Sequence, residues 1–120
     1  MTPFGEKMRE LRQARGMTQQ QQAEYLGVSK AYISALEHGS RGQPSGPLVD
    51  QICAWLGLIW DEAEELKNLA NLSHPKPSID VRNSSPTAVR LANILAQNID
   101  RLTDEDCAAL FDHIQQRLRQ

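Results

Sequence analysis

The sequence predicts an all-α protein, with a five-helix domain at the N-terminus and a two-helix hairpin at the C-terminus. Apolar residues recur at intervals of three and four along most of the 120-residue chain, which is the periodicity of one helix face. Aromatic residues are only 5% of the composition, and the apolar content is mainly Leu, Ala and Ile. This mixture suits helices better than sheets.

The first helix is predicted to begin at Pro3 and to end at Arg15. Thr2 is suited to cap its N-terminus, and Pro3 takes the first helical position, where its missing N–H costs nothing. Gly16 terminates the helix. Its apolar residues form a single stripe, which consists of Phe4, Met8, Leu11 and Ala14.

Residues 18–44 are the most informative segment, because they predict two short helices, Gln19–Leu26 and Lys30–His38, joined by a tight turn. Thr18 and Gln21 have the spacing of a capping box. Gly27 stands where the turn needs a positive φ. Such a pair is a helix-turn-helix unit, whose second helix enters the major groove of DNA. The segment therefore predicts sequence-specific DNA binding.

Two more helices are predicted before residue 73, one that starts after Ser45 and runs to Leu56 and one near Trp60–Leu72, with Gly57 between them. We expect Trp55 or Trp60, or both, to seal the small core. The residues of the fourth helix that are expected to point inward are Leu48, Ile52, Cys53 and Leu56.

The remainder of the chain is predicted to be a linker over residues 74–84 and a helical hairpin over residues 85–120. Alternating polarity in the linker allows a short strand at residues 79–82. A two-helix hairpin buries its apolar faces poorly, so it needs a second copy of itself or its own N-terminal domain, residues 1–73, as a partner. We expect dimerisation, and packing on its own domain is the alternative. The expected dimerisation residues are Val89, Ala92, Leu95, Ile99, Leu110, Phe111 and Ile114.

Charge and composition narrow the classes of function. The formal net charge is −2, but residues 1–44 contain six basic and four acidic side chains, so the mild positive excess lies on the DNA-reading segment. Cys53 and Cys107 show no metal-ligand spacing, and we expect reduced thiols in a cytoplasmic protein. There is no signal-peptide pattern or membrane span. We expect no catalytic site, cofactor or metal.

Residues 1–71 resemble the Cro/cI-type (XRE-family) helix-turn-helix regulators of bacteria and phages. The matching positions have the family's spacing, and they are Thr18-Gln19, Ala23, Leu26-Gly27-Val28-Ser29, Ile33-Ser34, Leu36-Glu37, Gly39 and Pro44. The resemblance implies a five-helix lambda-repressor-like domain. It also implies an ion pair between Arg12 and Glu37. Gln22 departs from the pattern, since the family usually has an apolar residue there, and a buried amide needs partners.

The resemblance also implies which residues contact DNA. Lys30 would reach the O6/N7 edge of guanine and Ala31 the methyl group of thymine. Gln19 would bind phosphate at the helix N-terminus. The alternative for Lys30 and Arg41 is a solvated charge, and for Tyr32 it is packing on the preceding helix. The complete expected set is Gln19, Ser29, Lys30, Ala31, Tyr32, Ser34, Ala35, Ser40 and Arg41.

Together these patterns predict a transcriptional regulator that binds double-stranded DNA, a repressor that recognises a palindromic operator as a homodimer. The alternative is an antitoxin or other protein-interaction module with an autoregulatory helix-turn-helix domain, in which the C-terminal hairpin holds a protein partner.

Overall fold

The computed structural model describes all residues from Met1 to Gln120 and confirms an all-α fold without strands. The backbone forms two compact units, Met1–Pro77 and Ser78–Gln120. The helices are α1 (Pro3–Ala14), α2 (Gln19–Leu26), α3 (Lys30–His38), α4 (Gly46–Leu56), α5 (Asp61–Asn71), α6 (Pro86–Asn98) and α7 (Asp104–Leu118), and a short 3₁₀ helix, Ile99–Arg101, follows α6.

Hydroxyl caps set the starts of most helices, which is why the predicted bounds of α2 and α3 agree with the structure. At α2 the backbone N–H of Thr18 donates to Oε1 of Gln21 over 2.9 Å, and the N–H of Gln21 donates to Oγ1 of Thr18 over 3.1 Å. This is the predicted capping box. The other caps are Thr2, Ser29, Ser45, Ser85 and Thr103.

The core of the first unit is formed mainly by one face each of α1, α4 and α5, and Leu36 of α3 also contributes to it. Phe4 and Met8 of α1, Ile52 of α4 and Leu66 of α5 are fully buried. In α4 the inward position is Val49, whereas the predicted Leu48 is only half-buried. Val49 fits because it lies three, four and seven residues before the other buried positions of α4, which share its face of the helix.

The two tryptophans differ in their environment. Trp55 is half-buried against the core, and its ring centroid lies 6.1 Å from that of Tyr25. Trp60 is 85% exposed, so it does not seal the core. Leu58, which is 7% exposed, fills the interior beside the turn instead.

The start of α1 lies directly against the end of α3. The N–H of Thr2 donates to the carbonyl of Glu37 over 3.0 Å. A Cβ at Gly5 would lie only 2.1 Å from the same carbonyl oxygen, so only glycine fits at this crossing. Ser73, after α5, accepts the N–H of Phe4 over 2.9 Å. The end of α3 is therefore held by α1, which is itself tied to α5.

In the second unit, residues 79–82 form no strand, so the suggestion of a strand there is wrong. No neighbouring strand is present to pair with this backbone. The segment instead makes local contacts between its own side chains and backbone. The Arg82 guanidinium lies 2.6 Å from the Asp80 carboxylate, and it lowers the pKa of that carboxyl. Neither α6 nor α7 contains a buried residue.

Candidate nucleic-acid interface

Helices α2 and α3 pack directly on each other around a small residue and a left-handed turn. Ala23 is 1% exposed at the contact between them, where a larger side chain would push the helices apart. Gly27 has φ +71°, a conformation that glycine adopts without strain. The N–H of Val28 then donates to the carbonyl of Ala23 over 2.9 Å. This geometry fixes the direction in which α3 leaves the turn.

A buried polar network joins α1, α2 and α3 beneath the surface. Nη2 of Arg12 lies 3.5 Å from Oε2 of Glu37, and both side chains are at most 5% exposed. The predicted Arg12–Glu37 ion pair is therefore confirmed. Nη1 of Arg12 donates to Oε1 of Gln22 over 3.0 Å. Helix α3 is thus attached to α1 through Arg12 and to α2 through Gln22 and Gln19.

Gln22 is fully buried, and both ends of its amide have partners. Besides accepting from Arg12, it points its Nε2 at the sulfur of Met8, 3.1 Å away. No buried side-chain nitrogen or oxygen in the protein lacks a hydrogen-bond partner. The departure from the family pattern at this position therefore extends the Arg12–Glu37 pair rather than leaving an unpaired polar group.

Gln19 lies at the edge of this network, at the first position of α2. Its amide nitrogen donates to Oε1 of Glu37, and its side chain is half-buried. The first N–H groups of a helix have no acceptor within the helix, and they carry the positive end of its dipole. The side chain of Gln19 is thus held by Glu37. The N–H of Gln21 is already used by the Thr18 cap, so the backbone N–H groups of Gln19 and Gln20 are the ones left available to an anion.

The first turn of α3 carries two exposed residues of the predicted contact set. Lys30 and Ala31 are exposed, whereas Ser34 and Ala35, one turn later, are half-buried. Oγ of Ser29 accepts the N–H of Tyr32 over 3.0 Å as the helix cap. Its hydroxyl hydrogen is still free to donate.

Tyr32 and Arg41 form one unit at the side of α3. The Tyr32 ring is half-buried against the core, and the guanidinium carbon of Arg41 lies 5.0 Å from the ring centroid, within the range of a cation–π contact. Neither Arg41 nor Lys30 is in a salt bridge. Ser40, which is exposed, lies in the same loop as Arg41. The surface thus presents two positive charges that no carboxylate neutralises.

Comparison with known proteins agrees with this geometry. The family model of the helix-turn-helix domain matches residues 3–66, which include α1 to α4 and the first half of α5. The chain belongs to the helix-turn-helix domain family. The resemblance to XRE-type regulators is confirmed.

Two curated relatives of this helix-turn-helix protein come from Bacillus subtilis. It is 46% identical over 61 residues to RghRB, which is described as an uncharacterized HTH-type transcriptional regulator. It is 39% identical over 61 residues to RghR, described as an HTH-type transcriptional repressor. Each match covers 51% of this chain but only 44% and 45% of the two relatives, respectively. No solved structure matches the chain.

The structure adds detail that the sequence pattern did not supply for this helix-turn-helix protein. The sequence singled out Gln22 as a break in the family pattern, and the structure identifies its partners as Arg12 and Met8. In the second unit, Leu91 and Ile94 are 56% and 60% exposed, more than Val89 in the expected dimerisation set. The sequence pattern that could have identified Leu91 and Ile94 is that α6 is apolar over more than one face, whereas a surface helix has a single apolar stripe.

The expected dimerisation residues lie on surfaces of differing exposure. Ala92 and Leu95 are half-buried within the second unit. The others are more exposed, and they are Val89, Ile99, Leu110, Phe111 and Ile114. No helix in the protein is both long enough and apolar enough to cross a bilayer.

Proposed function

We propose that this protein is a sequence-specific DNA-binding transcriptional regulator, a repressor that binds a palindromic operator as a homodimer. The observation that carries the proposal is the reading helix itself. Lys30 and Ala31 at the start of α3 are exposed, and the first turn of α3 contains no acidic side chain. Glu37, near the other end of α3, is fixed in the buried network with Arg12 and Gln22. Rigid support of this kind is what base readout requires.

Base readout is assigned to the exposed face of α3. Lys30 reaches the O6/N7 edge of guanine, and Ala31 lies against a thymine methyl group. Ser34 and Ala35 extend the same face. Because this surface has few hydrogen-bonding groups, discrimination between base pairs in each half-site is modest. DNA shape and dimerisation supply the remaining sequence specificity.

Phosphate contacts are assigned to residues around the two helix N-termini. The backbone N–H groups of Gln19 and Gln20, together with the side-chain amide of Gln19, bind one phosphate at the start of α2. The DNA backbone beside α3 is contacted by four further side chains, those of Ser29, Tyr32, Ser40 and Arg41. The stacking of Arg41 over the Tyr32 ring restricts the guanidinium, so less conformational entropy is lost when it binds phosphate.

Homodimerisation is assigned to the second unit, because that unit does not bury its own apolar side chains. None of its helical residues is buried, and exposed apolar faces of this kind mark interaction sites. Palindromic operators match the two-fold symmetry of a dimer. The curated relative named as a repressor supports repression over activation.

DNA binding is tested by a double variant, Lys30→Ala with Arg41→Ala, on a duplex that the wild-type protein binds. We expect affinity to fall at least about tenfold, with a shallower dependence on salt because phosphate contacts are lost. Lys67→Ala removes a cation from α5, which is outside the helix-turn-helix unit, and serves as the matched control. Equal affinities for the double variant and the wild type would refute the assigned surface.

Homodimerisation is tested by light scattering of the full chain and of Phe111→Glu. Phe111 is 52% exposed, so the charge should be tolerated in a monomer but not in an apolar interface. The wild type should be a dimer and the variant a monomer of unchanged helicity. A wild-type monomer would favour the alternative, in which the second unit holds a different protein.

A further inference from the structure

Helix α7 carries one continuous apolar stripe that the second unit itself leaves uncovered. The stripe residues recur at intervals of three and four and so lie on one face. They are Cys107, Leu110, Phe111, Ile114 and Leu118. Leu110, Phe111 and Ile114 are 46%, 52% and 50% exposed, and Leu118 is 74% exposed. A stripe of this length is long enough to cover an equal stripe on another helix.

Most charges of α7 lie at its two ends, and Asp112 lies in its middle. Its first turn is acidic, with Asp104, Glu105 and Asp106, and its last turn contains Arg117, followed by Arg119. Two such helices attract each other when they run antiparallel, because each acidic end then faces a basic end. A parallel pair would place like charges side by side.

We propose that α7 pairs antiparallel with α7 of a second copy of this chain; this rests on the homodimer of the proposed function. In the register that matches the stripes, Cys107 faces Leu118 of the second copy. Phe111 then faces Ile114 of the second copy. Every contact is repeated by the two-fold axis, as an isologous interface requires. The acidic turn of each helix lies beside the basic turn of its mate.

The pairing is tested by disulfide trapping in the full-length protein with Leu118→Cys. This substitution is at an exposed position, and Cys107 is the natural second thiol. We expect mild oxidation to give a covalent dimer whose peptides contain the 107–118 link. Cys53 should not interfere, because it is buried and burial raises the pKa of its thiol, which keeps it protonated and unreactive.

Two controls fix the direction of the helices. In the antiparallel register, the two copies of Cys107 are eleven residues apart along the pair, about 16 Å, beyond the reach of a disulfide. Oxidised wild-type protein should therefore stay non-covalent. Leu118→Cys combined with Cys107→Ser should also fail to cross-link.

The outcomes separate this inference from the homodimer itself. A light-scattering dimer that forms a 107–107 link in the wild type would show parallel helices and overturn the antiparallel pairing while leaving the homodimer intact. A dimer that forms neither link would show that α7 does not pair with itself, which also overturns the inference. A monomeric wild type would overturn both.

Discussion

Arg12 of α1 and Glu37 of α3 form a buried ion pair, with Nη2 and Oε2 separated by 3.5 Å. Removing one member of such a pair leaves the other charge buried without its partner. We therefore expect Arg12→Met to lower the free energy of unfolding by about 3–5 kcal/mol, measured by urea denaturation. The double variant Arg12→Met with Glu37→Met should lose less than the sum of the two single variants.

Lys67→Met provides the comparison for this pair. It breaks an exposed ion pair, in which Nζ of Lys67 lies 3.3 Å from Asp50, and it should cost at most about 1 kcal/mol. If Arg12→Met lowered the free energy of unfolding by no more than Lys67→Met does, the claim that the buried network supports α3 would be wrong.

Gln22 is expected to stabilise the protein as a polar residue, although related proteins usually have an apolar side chain there. Gln22→Met has a similar volume but cannot accept from Nη1 of Arg12. A buried donor without a partner costs about 1–3 kcal/mol, and we expect a loss of that size in urea unfolding. Gln20→Met, at an exposed site on the same helix, should change stability by less than about 0.5 kcal/mol. A Gln22→Met protein as stable as the wild type would contradict the network.

Gly5 is expected to tolerate no side chain. An added Cβ would lie 2.1 Å from the carbonyl oxygen of Glu37 and 2.6 Å from its Cα, so α1 and α3 would have to separate. Gly5→Ala should lower the thermal midpoint strongly, with a loss of about 3 kcal/mol or more. Gly46→Ala meets no atom within 4 Å and should be neutral or stabilising. Similar midpoints for the two variants would show that the close approach of α1 to α3 is absent in solution.

Trp60 is the only non-glycine residue with a positive φ, and its φ of 50° and ψ of −116° lie at the start of α5. Because the Trp60 side chain is exposed, burial of the ring does not offset the energetic cost of this backbone conformation. Trp60→Gly should be more stable than Trp60→Ala by about 1 kcal/mol, because glycine relieves the strain but loses more chain entropy on folding. Calorimetry of the two variants measures this difference, and a more stable Ala variant would contradict the strained backbone.

Local signals in the sequence are sufficient to predict the helices of the first unit. Hydroxyl caps and glycines act within a few residues, so the bounds of α2 and α3 could be predicted. The environment of Gln22 could not, because its partner Arg12 comes from another helix. Likewise, the sequence predicts Leu48 as an inward residue where the structure has Val49, since both fit the apolar period of α4.

The predictability of the candidate site differs between its scaffold and its surface. The Arg12–Glu37 pair followed from the family pattern, and the structure confirms it. The contact between Arg41 and the Tyr32 ring depends on how the loop after α3 folds back, which spacing alone does not determine. The exposure of Leu91 and Ile94 depends on what covers α6. The DNA contacts themselves stay predictions.

Selection of bound sequences from a random duplex pool, with the full chain at about 0.1 M salt, is the most direct test of DNA recognition, since affinities depend strongly on ionic strength. We expect enrichment of a two-fold symmetric motif whose half-sites are centred about 34 Å apart or a multiple of that distance. The Lys30→Ala variant should lose preference at one base pair of each half-site. A pool that remains random after repeated rounds with the wild-type protein would contradict sequence-specific DNA binding.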